Sequence, residues 1–271
     1  MENDIYIIEQ FSQSKYSSNE KNEDGLYIGD YYIAVIDGAT SKSDFTFEGK
    51  TGGQTARDLI MNKLSTLSGE EDAEHAVKVL QQELYDFSCQ HNNIPLSASA
   101  VIYSCQRQEI WSIGDCRFSI NGHVETNEKR IDKVFSETRA IAVNALLEAG
   151  YTEEELFEHD LARELLLPFL KLQHYLENKS SAFGFCVLNG DCKPDLFPFE
   201  MIRKTTVPDG AEIILASDGY PRLGNTLLES EQALQRLLSQ DPLCYKLYYS
   251  TKGLNKGNLS FDDRTFIRFR I

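Results

Sequence analysis

Apolar positions along the chain fall into two patterns. Short runs rich in β-branched and aromatic residues predict strands at Ile5–Ile8, Tyr31–Ile36, Ala98–Cys105, Ile110–Ile113, Phe183–Leu188, Glu212–Ala216 and Phe266–Ile271. A further strand, Phe118–Ile120, follows Ile110–Ile113 after Gly114-Asp115-Cys116-Arg117, and Gln106-Arg107-Gln108-Glu109 joins the two runs before it. Links this short allow only antiparallel pairing. Elsewhere the period is helical. Ala56, Leu59, Ile60, Leu64 and Leu67 share one face, as do Ala73, Ala76, Val77, Leu80, Leu84 and Phe87. A third helical region covers about residues 137–178, with Thr152-Glu153-Glu154-Glu155 as a capping box and Pro168 expected to break or kink Leu161–Leu176. A last helix fits Glu231–Leu238. Hairpin strands with helices inserted in pairs predict an α+β fold built on antiparallel sheets. With no linker, repeat or low-complexity tract, residues 1–271 read as a single domain.

Composition narrows the partners. Of 271 residues 41% are hydrophobic and 25% charged, a globular balance, with a formal net charge of −15. That acid excess argues against nucleic acid and against a polybasic membrane anchor. No apolar run approaches the roughly 20 residues that span a bilayer. Met1-Glu2-Asn3-Asp4 has neither the basic nor the apolar region of a signal peptide. Cys89, Cys105, Cys116, Cys186, Cys192 and Cys244 show no C-x-x-C spacing, which speaks against a thiolate zinc site and a disulfide framework. The expected location is the reducing cytoplasm.

The aspartates carry the chemistry. Ile33-Ala34-Val35-Ile36 ends in Asp37-Gly38, Trp111-Ser112-Ile113 in Gly114-Asp115, and Ile213-Ile214-Leu215-Ala216-Ser217 in Asp218-Gly219. Asp262-Asp263 leads into the final strand, and Asn22-Glu23-Asp24-Gly25 precedes the strand that carries Asp37. Any one Asp-Gly alone reads as a turn. Repetition at buried-to-exposed boundaries points instead to a cation that offsets desolvation. Carboxylates without His or thiolate partners suit Mg²⁺ or Mn²⁺. Two such ions about 4 Å apart activate water for attack on a phosphate ester. A calcium loop starting at Glu20 would place Tyr31 where the bidentate Glu is needed.

The ordered motifs resemble those of the metal-dependent PPM-type (type 2C) serine/threonine protein phosphatases. Asn22-Glu23-Asp24, Asp37-Gly38, G-G-x-x-A at 52–56, S-A-S-A-V at 97–101, G-D-C-R at 114–117, S-D-G at 217–219 and D-D-R-T at 262–265 occur in that family's order. The resemblance implies a four-layer α-β-β-α sandwich with two antiparallel sheets and metals in a cleft at one edge. It implies that Asp37 bridges two Mn²⁺ or Mg²⁺ ions and that the Gly38 carbonyl ligates one. Asp218 and Asp262 would hold the first ion, and Glu23 the second, with Asp24 behind or in place of it. Asp115 with Asp218 would form a third, weaker site, and Asp263 ranks below Asp262. Asp37 and Asp218 would act through metal-activated water that attacks phosphoserine or phosphothreonine on a protein, without a phosphoenzyme.

This sequence also departs from the family. The position of a phosphate-clamping Arg is Asn19, so Lys21 or Lys15 is the available cation, although a lysine is a poorer clamp than a guanidinium fork. Ala39-Thr40 stand where many members have a His, and Ser41 to Lys50 is longer than usual. Residues 125–180 match no part of the family and would serve substrate choice or a regulatory partner. His123, His159 and His174 read as surface or packing residues, Trp111 as core, and the stripe Leu165, Leu166, Phe169, Leu172 and Leu176 as packed on the domain. The expectation is a bacterial phosphoprotein phosphatase. A catalytically weak or inactive regulatory module and a phosphatase of small phosphate esters are the alternatives.

Overall fold

A computed structural model describes residues 5–39 and 46–271. Thr40 and residues 41–45 of the Ser41–Lys50 segment therefore lie outside the described residues, as do Met1–Asp4. The chain runs β1 (Tyr6–Gln13), β2 (Asp24–Ile28), β3 (Tyr32–Gly38), β4 (Thr46–Phe47), β5 (Lys50–Thr51), α1 (Gly52–Leu64) and α2 (Ala73–Gln90). There follow β6 (Ser97–Ser104), β7 (Glu109–Ile113), β8 (Arg117–Ile120), β9 (His123–Glu125), α3 (Arg130–Glu148), α4 (Glu153–Glu158) and α5 (Leu161–Leu172). The chain ends with β10 (Leu188–Asn189), β11 (Arg203–Thr206), β12 (Glu212–Ala216), α6 (Leu227–Gln240) and β13 (Arg264–Arg270).

Two antiparallel sheets form the centre, in the orders β1-β13-β12-β8-β9 and β11-β7-β6-β3-β2, with β10 beside β6. The continuous apolar run of β3 follows from cover on both faces. Ile33 and Val35 meet Val101, Tyr103, Ile213, Leu215, Ile267 and Phe269 between the sheets. Tyr32, Ala34 and Ile36 face the other way, onto Ala56 and Ile60 of α1 and Ala76, Val77 and Leu80 of α2. Outside the first sheet, Ile214, Ala216 and Phe266 pack with Tyr220, Leu223 and Leu227. The expected α+β sandwich of helices on two antiparallel sheets is the architecture present.

Four sequence expectations are corrected. β7 and β8 do not pair: β7 belongs to one sheet and β8 to the other, so Gly114-Asp115-Cys116 crosses between them. Gly114, at φ +85°, makes that turn, and a side chain there would meet Ser99 Oγ at 2.2 Å. Phe183–Leu188 is not a strand apart from Leu188, which pairs with Ala98. Its backbone donors go to Leu176 O (from Phe185 N, 3.3 Å) and Asn178 Oδ1 (from Val187 N, 3.0 Å), and Phe185 and Val187 are buried under Ile131 of α3 instead. The helix across Pro168 continues to Leu172, and the third helical region starts at Arg130 and divides into α3, α4 and α5. Finally, α5 buries Ala162, Leu166 and Leu170, which recur every four residues, whereas Leu165, Phe169 and Leu172 of the expected packed stripe are exposed. Trp111 is fully buried, with its indole N–H on Glu109.

α3, α4 and α5 have a small core of their own, where Ala140, Val143, Leu156 and Ala162 meet Leu243 and Tyr245. Arg139, fully buried, latches this unit to the chain before β13. Its guanidinium donates to Asp160 Oδ2 (2.6 Å) and to the carbonyls of Leu243 (2.7 Å) and Ser250 (3.3 Å). Arg163 adds a bond to Thr251 O at 2.6 Å.

Candidate metal centre

The strand ends bring the aspartates together. β2 pairs with β3 so that Asp24 lies opposite Asp37, and β3 pairs with β6 so that Asp37 lies opposite Ser99. The crossing after β7 brings in Asp115, whose carboxylate accepts from Ser99 Oγ at 2.6 Å. β12 delivers Ser217-Asp218 from the opposite sheet, the one that also holds β13. Carboxylate oxygens of Asp37, Asp115 and Asp218 all lie within 4.8 Å of one another. Beside them, the Gly38 N–H donates to Glu23 O (3.1 Å), and α1 abuts the same turn. A Cβ on Gly38 would lie 2.3 Å from Gly53 O, so the two glycines let strand end and helix start touch. Thr51 caps α1 through Gln54 and also donates its hydroxyl to Glu23 Oε1 at 2.7 Å.

Electrostatics divide the cluster in two. Among the described residues, neither the Asp37 nor the Asp218 carboxylate is engaged by a hydrogen bond or an ion pair. Burial, then repulsion from Asp218 and Asp24, holds the Asp37 carboxyl well above the usual range. Asp218 is pushed up to about 7 by burial, then by Asp115 and Asp262. Asp24 is also raised, by burial foremost, although its carboxylate accepts from Ser217 Oγ at 2.6 Å. Asp115 and Asp262 behave oppositely. Burial opposes their ionisation but is outweighed by Lys129 at Asp115 (2.8 Å) and by Lys252 and Lys15 at Asp262.

The cluster sits at one wall of a cleft of about 940 Å³. Residues from α3 and α5, among them Ser136, Leu170 and Lys171, form another wall, with the segment from Lys246 to Lys252 and Arg117 between. A volume of this size is within the range of pockets that bind small molecules.

The sequence matches no protein-family model, and no curated protein matches it. Solved structures do match. The Mycobacterium tuberculosis serine/threonine phosphatase PstP/Ppp aligns at 16% identity over 98% of this chain and 98% of that one, with a TM-score of 0.51. A bacterial serine phosphatase aligns at 16% identity over 99% and 97%, with a TM-score of 0.50. The fold is that of the PPM-type phosphatases. Identity this low carries the fold alone, so any activity has to be argued from the site.

Within this phosphatase fold the other sequence-derived candidates take varied positions. Glu23 is buried and lies outside the Asp37–Asp115–Asp218 triad, held by Thr51 and by Lys15 at 3.4 Å. Asp262 lines the cleft between Lys15 and Lys252. Asp263 turns inward and accepts from the backbone N–H groups of Lys15 (2.7 Å) and Glu23 (2.9 Å), so its work is to fix those two residues. Lys21 is exposed beside the Tyr16 ring and is not among the residues lining the cleft. Asn19, at the expected Arg position, accepts from Ser14 N at 2.8 Å. His174 lies at the cleft rim, while His123 is exposed on β9. Sequence reasoning missed Ser99 and Ser217, although both stand inside quoted motifs, and Lys129 and Lys252. No local pattern marks the lysines, because only the tertiary fold brings them to the aspartates.

Proposed function

We propose that the chain is a Mn²⁺- or Mg²⁺-dependent phosphatase of phosphoserine and phosphothreonine in proteins. The observation that carries this reading is the convergence of Asp37, Asp115 and Asp218 at a cleft wall, with the Asp37 and Asp218 carboxylates in no hydrogen bond or ion pair among the described residues. The donor set fits hard divalent ions: carboxylates and the adjacent Gly38 carbonyl, with no imidazole or thiolate. We assign Asp37, Gly38, Asp218 and Asp262 to two ions, with Glu23 and Asp24 beside them. Such ions supply an activated water near neutral pH and neutralise charge on the phosphoryl group.

The chain's own part is positioning. Asp37 and Asp218 approach from opposite sheets, so each fixes the other's distance only while the sandwich is intact. Ser217 steers Asp24, and its hydroxyl also accepts from Thr265 N (2.9 Å), which ties the two sheets together at the site. The α3–α5 wall excludes bulk water from one side of the cleft and leaves room for a peptide. Six free thiols fit a reducing compartment, and among the described residues no helix is long and apolar enough to cross a membrane. One domain over residues 1–271, in a bacterial cytoplasm, completes the reading.

The test is phosphate release with Mn²⁺ from a panel of phosphoserine and phosphothreonine peptides and small phosphate esters. Turnover of peptides supports the reading. Turnover of small esters alone replaces the substrate class, and no turnover with any substrate contradicts the activity. A second reading, the fold kept as a weak or inactive regulatory module, is favoured by the lysines on Asp262. Tight Mn²⁺ binding without turnover across the panel would support it.

A further inference from the structure

Lys129 stands in an unusual place. It occupies the N-cap of α3, where Ser, Thr, Asp or Asn is favoured, and it makes no side-chain cap bond. A cation there also opposes the helix dipole. Two local rules are broken at once, which is expected where a residue serves a site. Its side chain turns from the helix to the centre. The ammonium lies 2.8 Å from Asp115 Oδ2 and 5.0 Å from the centroid of the Phe185 ring, and the side chain is only 14% exposed. Ser99 holds the other Asp115 oxygen. Both oxygens of Asp115 are therefore occupied, whereas the carboxylates of Asp37 and Asp218 take part in no hydrogen bond or ion pair among the described residues.

We propose that the Lys129 ammonium is a built-in cation that takes the place of a divalent ion at Asp115, so that the centre holds two ions and not three. This rests on the reading of the aspartates as a metal centre. An ammonium carries one charge and no open coordination position, so at Asp115 it neutralises without activating water. It also joins the first turn of α3 to the centre by a direct ion pair, so the position of the helical unit and the charge of the site are set together. The third site that the family resemblance implies for Asp115 and Asp218 is thereby withdrawn for this chain: the residues present do not fit it.

The test counts Mn²⁺ ions bound per chain at saturation, by equilibrium dialysis with elemental analysis, in wild type, Lys129→Met, Lys129→Arg and Asp115→Asn. Two ions are expected in wild type, in Lys129→Arg, which keeps the charge, and in Asp115→Asn. Three are expected in Lys129→Met, and two again when Asp115→Asn is added to it. Equal counts in wild type and Lys129→Met overturn this inference and leave the metal reading standing. Loss of one ion from wild type on Asp115→Asn overturns it too, and that arm decides the matter if Lys129→Met does not fold. No Mn²⁺ bound by any of the proteins overturns both.

Discussion

Asp218 bears the electrostatic tension of the centre most plainly. Its folded-state pKa of about 7 lies above the 3.8 of a free side chain, with burial as the first cause. A carboxyl raised in this way contributes stability that is full below the unfolded value and is lost as pH rises through the folded one. Metal-free protein should therefore lose thermal stability between about pH 4 and about pH 7. Saturating Mn²⁺ should flatten that slope, and melting curves with EDTA and with Mn²⁺ read both effects. A slope of the same size in Asp218→Asn would refute the assignment. Ser217 acts one step back, because its hydroxyl holds Asp24 and the β13 backbone together. Ser217→Ala is expected to weaken Mn²⁺ affinity by roughly 10-fold, since groups that orient ligands commonly contribute 10- to 100-fold. Titration calorimetry measures it, and unchanged affinity would remove Ser217 from the account.

At the scale of elements, the buried Arg139 guanidinium holds the helical unit to the cleft together with the Arg163–Thr251 bond and the Lys129–Asp115 ion pair. Arg139 bridges Asp160, which also caps α5 through Arg163 N, and the carbonyls of the segment that leads to Lys252. Arg139→Met leaves Asp160 without its partner and several carbonyls unsatisfied, so a loss of about 3–5 kcal/mol is expected from urea unfolding. Hydrogen exchange should accelerate in residues 243–252 more than in β3, and uniform acceleration would show that the latch is not local. How far the elements are legible from sequence follows from where their cover comes from. β3, β6 and β12 are readable because two-sided burial leaves apolar stretches such as Ile33–Ile36, Ala100–Tyr103 and Ile213–Ala216, and β13 shows through Phe266, Ile267 and Phe269 set between arginines. The first two helices are readable because one face of each meets a sheet. Phe183–Leu188 misleads because its side chains are buried under α3 while its backbone pairs with Asn178 and Leu176, a distinction that hydrophobicity does not record. The crossing between β7 and β8 is hidden for a related reason. A four-residue link permits a hairpin, but β7 is paired on its two edges by β6 and β11 and β8 by β12 and β9, and β11 and β12 lie far along the chain, so Gly114 turns the link to the other sheet.

Over the whole molecule, the net charge of −15 is uneven in its consequences. Lys15, Lys129 and Lys252 pair with the flanking acids Asp262 and Asp115, while the central Asp37 and Asp218 carboxylates form no ion pair among the described residues. The carboxylates at the centre were readable as strand-end motifs, and their order along the chain suggested the fold. Which of them already carry a counter-ion was not, because Lys129 and Lys252 arrive from segments with no motif. A ligand that binds only the folded state stabilises it by about 2.7 kcal/mol at 100 times its dissociation constant. Mn²⁺ should therefore raise the melting temperature in a concentration-dependent way, and EDTA should reverse it. The most direct test of the central claim is the initial rate of phosphate release from a phosphothreonine peptide at saturating Mn²⁺, for wild type and for Asp37→Asn and Asp218→Asn of unchanged circular dichroism. The account predicts Mn²⁺-dependent turnover in wild type and a fall on the order of 100-fold or more in each variant. Equal rates in all three proteins, or turnover in wild type that EDTA does not abolish, would contradict it.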